Sequence, residues 1–221
     1  MQTAAFIVVM LALLLGLGYL VAAWLERVFD GRLGVAGRVG RPVEHGIYRL
    51  LRVDPERDMG WQEYARGVLL FSLWSFLGLY LLQRLQGFLP LNPADLKGVR
   101  PDIAFNTAIS FVTNTNWQSY TPEQTMSYLT QMAGLGVQNF VSAAVGICVA
   151  VALIRAIGRS GASGIGNFWA DLVRSTLYVL VPLSAILAVL LVSQGVVDTF
   201  DGPRQVTTVE GGTQAVALGP F

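Results

Sequence analysis

Residues 113–118 read Thr-Asn-Thr-Asn-Trp-Gln and supply a dense run of hydroxyl, amide and backbone oxygens without any charged group. A potassium ion enters an apolar medium only when protein oxygens replace its water shell, and neutral oxygens of this kind can do so. The pattern therefore favours binding of a dehydrated monovalent cation. The candidate ligands are Thr113, Asn114, Thr115, Asn116 and Gln118.

The segment follows an apolar run, residues 103–112, that is too short to cross a membrane. A helix of this length rises about 15 Å, half of the roughly 30 Å hydrocarbon core. We predict a pore helix over 103–112 that enters the membrane, and a filter over 113–118 where the chain turns back. The carboxyl-terminal end of the helix would favour a cation. We expect Trp117 to brace the loop against neighbouring helices and Gln118 to line its outer rim.

Composition indicates an integral membrane protein. Of the 221 residues, 53% are hydrophobic and only 13% are charged, and the mean hydropathy is +0.54. An ordinary soluble domain has about 25% charged residues. Four stretches without Asp, Glu, Lys or Arg are long enough to span a bilayer: 1–25, 67–83, 124–154 and 175–197. The predicted fold class is all-α integral membrane.

These stretches divide the chain into six parts. We predict an amino-terminal transmembrane helix over 1–25, an arginine-rich cytoplasmic loop over 26–63, and a helix, pore-loop, helix repeat over 64–155. A second cytoplasmic loop over 156–174, a further helix over 175–197 and an external tail over 198–221 follow. The tail is expected to form a β-hairpin around Gly211 and Gly212. The loop over 26–63 holds either a short amphipathic helix, on the membrane surface or against a partner, or a solvated loop.

Basic residues are distributed unequally between the two sets of loops. Four lie on the pore-loop side, and eleven lie on the other side. The eleven are Arg27, Arg32, Arg38, Arg41, Arg49, Arg52, Arg57, Arg66, Arg155, Arg159 and Arg174. Arginine-rich short loops remain in the cytoplasm, so the amino terminus is predicted to lie outside. No positive charge precedes the first span, so we expect it to be retained rather than cleaved as a signal peptide.

An alternative interpretation of residues 113–118 is an external turn with Trp117 in the aromatic belt at the membrane surface. The predicted spans favour the ion path, because none carries an ionisable residue in its interior. A proton-coupled carrier or a haem enzyme needs such groups or histidine ligands within the membrane. The single histidine, His45, lies in a loop, and the single cysteine, Cys148, excludes a disulfide framework. We expect no organic cofactor.

Residues 110–120, Ser-Phe-Val-Thr-Asn-Thr-Asn-Trp-Gln-Ser-Tyr, closely resemble the potassium-translocating A subunit family of the bacterial Kdp ATPases. Four further strings support the resemblance: Pro-Leu-Asn-Pro at 90–93, Gln-Met-Ala-Gly at 131–134, Gln-Asn at 138–139 and Thr-Val-Glu-Gly at 208–211. Together they cover nearly the whole chain in the family's order.

The resemblance implies a potassium-channel-like fold of four helix, pore-loop, helix repeats with one extra amino-terminal helix. It also implies a multi-pass subunit of the bacterial plasma membrane that selects K+ from outside. Residues 113–116 would form the first filter strand, with Gln118 at its rim. Implied partners are a catalytic B subunit of P-type ATPase class, a C subunit, a possible small single-span subunit and membrane lipid, but no nucleic acid. This chain carries neither a Walker motif nor an Asp-Lys-Thr-Gly motif.

The sequence departs from this family in length, since the family's chains are more than twice as long. Three of the four expected filter strands are not present in it. Either the sequence is a fragment of an A subunit, or other chains supply the remaining repeats. Two further interpretations remain open, a passive potassium channel subunit and a non-conducting membrane scaffold.

Overall fold

The computed structural model describes residues 2–158, 164–197, 199–216 and 219 of an all-α membrane protein with a small β-hairpin. Its elements are α1 (Gln2–Phe29), α2 (Gly34–Leu51), α3 (Trp61–Leu85), α4 (Pro101–Val112), α5 (Pro122–Thr125), α6 (Val137–Gly158), α7 (Phe168–Arg174), α8 (Val181–Ser193), β1 (Arg204–Thr207) and β2 (Thr213–Val216). A π-helical turn, Thr130–Gly136, precedes α6, and a second, Ser175–Leu180, joins α7 to α8.

Four helical stretches are long and apolar enough to cross a membrane: Ala5–Phe29, Trp61–Phe88, Thr130–Gly158 and Phe168–Ser193. They correspond to the four stretches predicted from the sequence. The predicted hairpin is also present, with β1 and β2 antiparallel and Thr207 opposite Thr213. Gly211 in its turn has a φ of 80°, a conformation that favours glycine. The prediction extended the second arm to residues 217 and 218, which lie outside the described residues.

The fourth stretch begins at Phe168 and not at residue 175, where the sequence placed it. The Asn167 side chain starts this helix by accepting hydrogen bonds from the backbone N–H groups of Trp169 and Ala170, at 3.0 and 3.2 Å. The prediction ended the preceding loop after Arg174 because charged residues rarely enter a span. Here the charges have partners, so the helix includes them.

A buried ion pair joins the third and fourth stretches. Arg155 contacts both carboxylate oxygens of Asp171, at 2.6 and 3.1 Å, and the Asp171 side chain is only 2% exposed. The hydroxyl of Tyr64, from α3, donates a third hydrogen bond to Asp171 at 3.1 Å. The expectation that the spans carry no ionisable residue is therefore wrong: the charges are present but mutually neutralised near one end of the bundle.

Helix α2 occupies the predicted loop over 26–63 and packs against this same end, which we call the basic end. The buried Glu44 carboxylate of α2 accepts hydrogen bonds from Arg174 at 2.9 Å and from the hydroxyls of Tyr178 at 2.7 Å and Tyr48 at 2.8 Å. The opposite face of α2 exposes Val39 and other apolar residues. Of the two interpretations of this loop, the structure therefore contains the amphipathic helix, which is 18 residues long.

We predict that Asp171→Asn destabilises the protein by about 3–5 kcal/mol, since it leaves the Arg155 cation buried without a counter-charge. The matched control is Glu63→Gln, because Glu63 pairs with Arg57 in a bridge whose side chains are 40% and 62% exposed. This control should cost less than about 1 kcal/mol. The measurement is the denaturation midpoint of the purified protein in detergent, and equal shifts for the two variants would contradict the assignment.

The docking of α2 should be lost on acidification. Burial raises the pKa of Glu44, but the hydrogen bonds from Tyr178, Arg174 and Tyr48 together lower it further, so the pKa lies below the ordinary 4.5. A carboxylate with a lowered pKa stabilises the folded state at neutral pH, and this stabilisation is lost as the pH falls below 4.5 through the folded pKa.

Tyr178→Phe removes one of these hydrogen bonds, so α2 should detach at a higher pH than in the parent protein. Amide hydrogen exchange of α2, corrected for its intrinsic pH dependence, measures the midpoint. The exposed Tyr19 supplies the control substitution, Tyr19→Phe. An unchanged midpoint in Tyr178→Phe would show that Glu44 does not set the pH response.

Candidate cation-binding segment

Helix α4 is the short helix that the sequence predicted, and it is 12 residues long. Pro101 occupies its first turn, where the missing N–H has no cost. Its buried face carries Ala104, Ala108 and Phe111, which pack with Leu79 of α3 and Leu135 in one apolar cluster. The two small alanines allow α4 to lie close to its neighbours, and the helix ends where the polar segment, residues 113–118, begins.

The polar segment lies deep along the third apolar stretch. The Asn114 side-chain oxygen accepts a hydrogen bond from the hydroxyl of Ser142 at 3.3 Å. Ser142 lies near the middle of the 29-residue stretch Thr130–Gly158. The contact places the end of α4 about halfway along a helix that is long enough to cross a membrane. An external turn would instead lie beside the first residues of that helix.

The backbone N–H groups of the polar segment point back to the last turn of α4. Those of Thr113 and Asn114 donate to the carbonyls of Ile109 and Phe111, at 3.0 and 3.2 Å. Those of Thr115 and Asn116 both donate to the carbonyl of Ser110, at 2.9 and 3.3 Å, and that of Trp117 donates to the Ser110 hydroxyl. The segment thus uses carbonyls that every helix leaves unpaired at its carboxyl-terminal end.

Two threonine hydroxyls reinforce this arrangement. Thr113 Oγ1 donates to the Ile109 carbonyl at 2.9 Å, and Thr115 Oγ1 donates to the Ser110 carbonyl at 3.0 Å. The two hydroxyls also lie 3.1 Å apart. In this state the hydroxyl hydrogens point toward the helix end, so the threonine side chains hold the segment in place while remaining exposed.

The two asparagines fix the direction of the backbone. Asn114 and Asn116 have φ angles of 58° and 54°, both in the left-handed region. Asn adopts this region more readily than other residues with a side chain, apart from Asp. The alternation of Thr and Asn in the sequence therefore produces a backbone that changes handedness along the segment. This conformation allows consecutive N–H groups to face one helix end.

The carbonyl groups of the polar segment are the counterpart of these bonded N–H groups. Among the described residues, none of the carbonyl oxygens of residues 113–118 accepts a hydrogen bond, and all six side chains are exposed. A backbone segment that satisfies its donors and leaves its acceptors free presents a row of oxygens without competing donors. Such a row is suited to a cation and not to an anion.

The structure brings the five predicted ligands together in this one segment but alters the role of their neighbours. Trp117 is 78% exposed, so within the described chain it does not brace the loop as predicted. Gln138 and Asn139 were considered as hydrogen-bond partners of the loop, yet the bond comes from Ser142. Sequence reasoning missed Ser110 and Ser142, because a single serine within an apolar helix resembles a packing residue.

The buried amide of Gln86 fixes the chain on either side of α4. Its Nε2 donates to the carbonyls of Lys97 and Thr125, both at 2.8 Å, and its Oε1 accepts from the Ser127 N–H and the Thr130 hydroxyl, both at 3.0 Å. One amide thus joins the segment before α4 to the segment after the polar loop. Gln86 has no exposed surface, and all four of its hydrogen bonds are internal.

Comparison with known proteins supports the family suggested by the sequence. The model of the family KdpA, described as potassium-transporting ATPase A subunit, matches residues 7–221. The chain belongs to this family.

Relatives of the KdpA chain are proteins named potassium-transporting ATPase potassium-binding subunit. That of Sorangium cellulosum is 53% identical over 219 residues, covering 95% of this chain and 38% of the relative. That of Rhodospirillum centenum is 54% identical over 214 residues, covering 97% and 37%. That of Bordetella pertussis is 56% identical over 200 residues, covering 90% and 34%. The chain therefore spans little more than a third of the length of these relatives.

Removal of the Ser110 hydroxyl should loosen the polar segment of this KdpA chain. In Ser110→Ala the Trp117 N–H loses its acceptor, at a cost of about 1 kcal/mol. We expect faster amide hydrogen exchange in residues 113–118 by about fivefold, with little change elsewhere. Thr107→Val is the matched control, because the Thr107 hydroxyl is equally buried but has no hydrogen-bond partner. Equal exchange in both variants would contradict the role given to Ser110.

Proposed function

We propose that the polar segment is the first strand of a potassium-selective filter in a K+-translocating subunit. One observation carries the proposal: the N–H groups of residues 113–117 are bonded to the end of α4, whereas their carbonyl oxygens are free. The ligands are the oxygens of Thr113, Asn114, Thr115 and Asn116, with Gln118 at the outer rim. Neutral oxygens suit a monovalent ion, which must later leave the filter.

The position of the segment at the end of a short helix adds an electrostatic contribution. The carboxyl-terminal end of α4 carries about half a negative charge, directed at the polar segment. No lysine or arginine occurs between residues 101 and 154, so the described chain brings no like charge close in sequence. Both features lower the free energy of a cation at membrane depth without a fixed carboxylate.

The names of the relatives support a place in an ATP-driven import complex. They are potassium-binding subunits of potassium-transporting ATPases. We infer that a separate catalytic B subunit hydrolyses ATP, since this sequence carries no ATP-hydrolysing motif, and that a C subunit and a small single-span subunit complete the assembly. The arginine distribution favours an amino terminus outside the bacterial plasma membrane and a filter that opens outward.

A single filter strand surrounds only one side of an ion. The relatives are almost three times the length covered here, and we infer that the further repeats supply the other strands. The function is therefore proposed for the full-length protein in its complex.

Asn114→Gly and Asn114→Val separate the backbone from the side chain. Both lose the contact with Ser142, but glycine accepts a φ of 58° and valine does not. If the carbonyls bind potassium, Asn114→Gly should retain rubidium uptake within about threefold. Asn114→Val should raise the half-saturating concentration by about tenfold, since the left-handed conformation costs about 1–2 kcal/mol. Equal uptake in both variants would remove the filter assignment.

The same uptake assay distinguishes the other two functions. A passive channel subunit would continue to import rubidium after ATP depletion, whereas the proposed subunit would stop. A non-conducting scaffold would retain the complex and its uptake in Asn114→Val. We expect uptake that requires ATP and is impaired by valine.

A further inference from the structure

Beside the polar segment lies a cavity of about 240 Å³ that the filter does not explain. It is open to solvent and lies between the end of α4, the polar segment, α5 and the start of the third apolar stretch. The residues that define its chemistry are Phe111, Asn116, Gln118, Glu123, Gln131 and Asn139. The remaining lining residues are Pro122 and Leu135, so no basic side chain lines it.

We propose that this cavity is a second cation subsite, which captures a partly hydrated monovalent cation beside the filter. The Glu123 carboxylate supplies its charge, and the amide oxygens of Asn139, Gln131 and Gln118 supply neutral ligands. The inference rests on the proposed function, since it gives the incoming ion a place to wait before it loses its water. It assigns a role to residues outside the Thr-Asn strand.

An unused oxygen in the cavity wall is the first observation that supports a ligand. Asn139 Oδ1 is buried and accepts no hydrogen bond in the described chain. A buried acceptor without a partner costs about 1–3 kcal/mol, which a bound ion or its water would recover. Gln131 lies one helical turn or two before Asn139 and donates its Nε2 to the Met126 carbonyl at 2.9 Å. Its own amide oxygen is therefore the end left to face a ligand.

The electrostatic balance of the cavity is the second observation. Glu123 forms no ion pair with any described residue, although Asp102 nearby in sequence is paired with Arg100 at 2.9 Å. The carboxyl-terminal end of α4, at Phe111, adds a partial negative charge to the same space. A cavity with one free carboxylate, a helix carboxyl terminus and no lysine or arginine repels anions and attracts cations.

The size of the cavity indicates a hydrated ion. Its volume of about 240 Å³ greatly exceeds the roughly 30 Å³ that one water molecule occupies in the liquid. A fully dehydrated ion would leave most of this space empty, whereas an ion with several waters would fill it. Asn116 and Gln118 belong to both the cavity wall and the polar segment, so an ion can pass between the two without crossing apolar surface.

The first test is Glu123→Gln in the full-length protein within its ATPase complex. We expect the potassium concentration for half-maximal ATP hydrolysis to rise by about 3–10-fold at low ionic strength, with an unchanged maximal rate, since one charge near the ion is lost. Choline chloride should shrink the difference between variant and parent through screening. Glu210→Gln, in the exposed hairpin turn, is the matched control and should leave the half-maximal concentration unchanged.

Asn139→Leu tests the unused oxygen by the sign of its effect. If no ion uses Asn139 Oδ1, removal of an unsatisfied acceptor in favour of an apolar side chain of similar volume is neutral or stabilising, and potassium affinity stays the same. If the ion uses it, the apparent affinity falls by about 3–10-fold, and the loss combines with that of Glu123→Gln less than additively.

An unchanged half-maximal concentration in Glu123→Gln, which alters only an exposed side chain, overturns the subsite. The Asn114 variants keep this outcome separate from failure of the filter. If Asn114→Val impairs uptake while Glu123→Gln does not, the filter stands and the subsite fails. If neither variant has an effect, the proposed function fails as well.

Discussion

The polar segment and the last turn of α4 solve the same problem for each other. Every helix ends with unpaired carbonyls, and every non-helical segment inside a bundle needs partners for its N–H groups. Here the donors of residues 113–117 meet the acceptors of residues 109–111. The remaining oxygens of the segment are then the only backbone groups without an internal partner, and their availability follows from this pairing.

This pairing depends on particular side chains. Ser110 contributes both its carbonyl and its hydroxyl, so one residue holds three of the N–H groups. Asn114 and Asn116 provide the left-handed turns that bring those groups within reach. The threonines between them donate hydroxyl hydrogens in the same direction. A different order of the same residue types would not produce the same backbone.

The two ends of the bundle use different chemistry. At the basic end, the ion pairs of Arg155 with Asp171 and of Arg174 with Glu44 connect helices from distant parts of the chain. At the other end, neutral amides and hydroxyls make the connections, with Gln86 at their centre. Neutral connections hold the polar segment without placing a strong fixed field beside the oxygens that face a cation.

Much of this architecture follows from local properties of the sequence. Length and hydropathy predict the four long helical stretches and the short α4, and the glycine pair predicts the hairpin. The early start of the fourth stretch at Phe168 could not be predicted, because it depends on partners for Asp171 and Arg174 from other helices. The contact of Ser142 with Asn114 is also non-local, and the two π-helical turns change which residues face inward without any signal in the composition.

The internal hydrogen bonds of Gln86 have a consequence for biosynthesis. A ribosome completes α3 and Gln86 first, but the partners of this amide extend to Thr130, at the start of the third apolar stretch. During synthesis, α4 must therefore wait beside the membrane with its neighbours unjoined until that stretch has been inserted. The order of translation makes the oxygen-lined segment one of the last parts of this repeat to acquire its shape, after the helices that surround it.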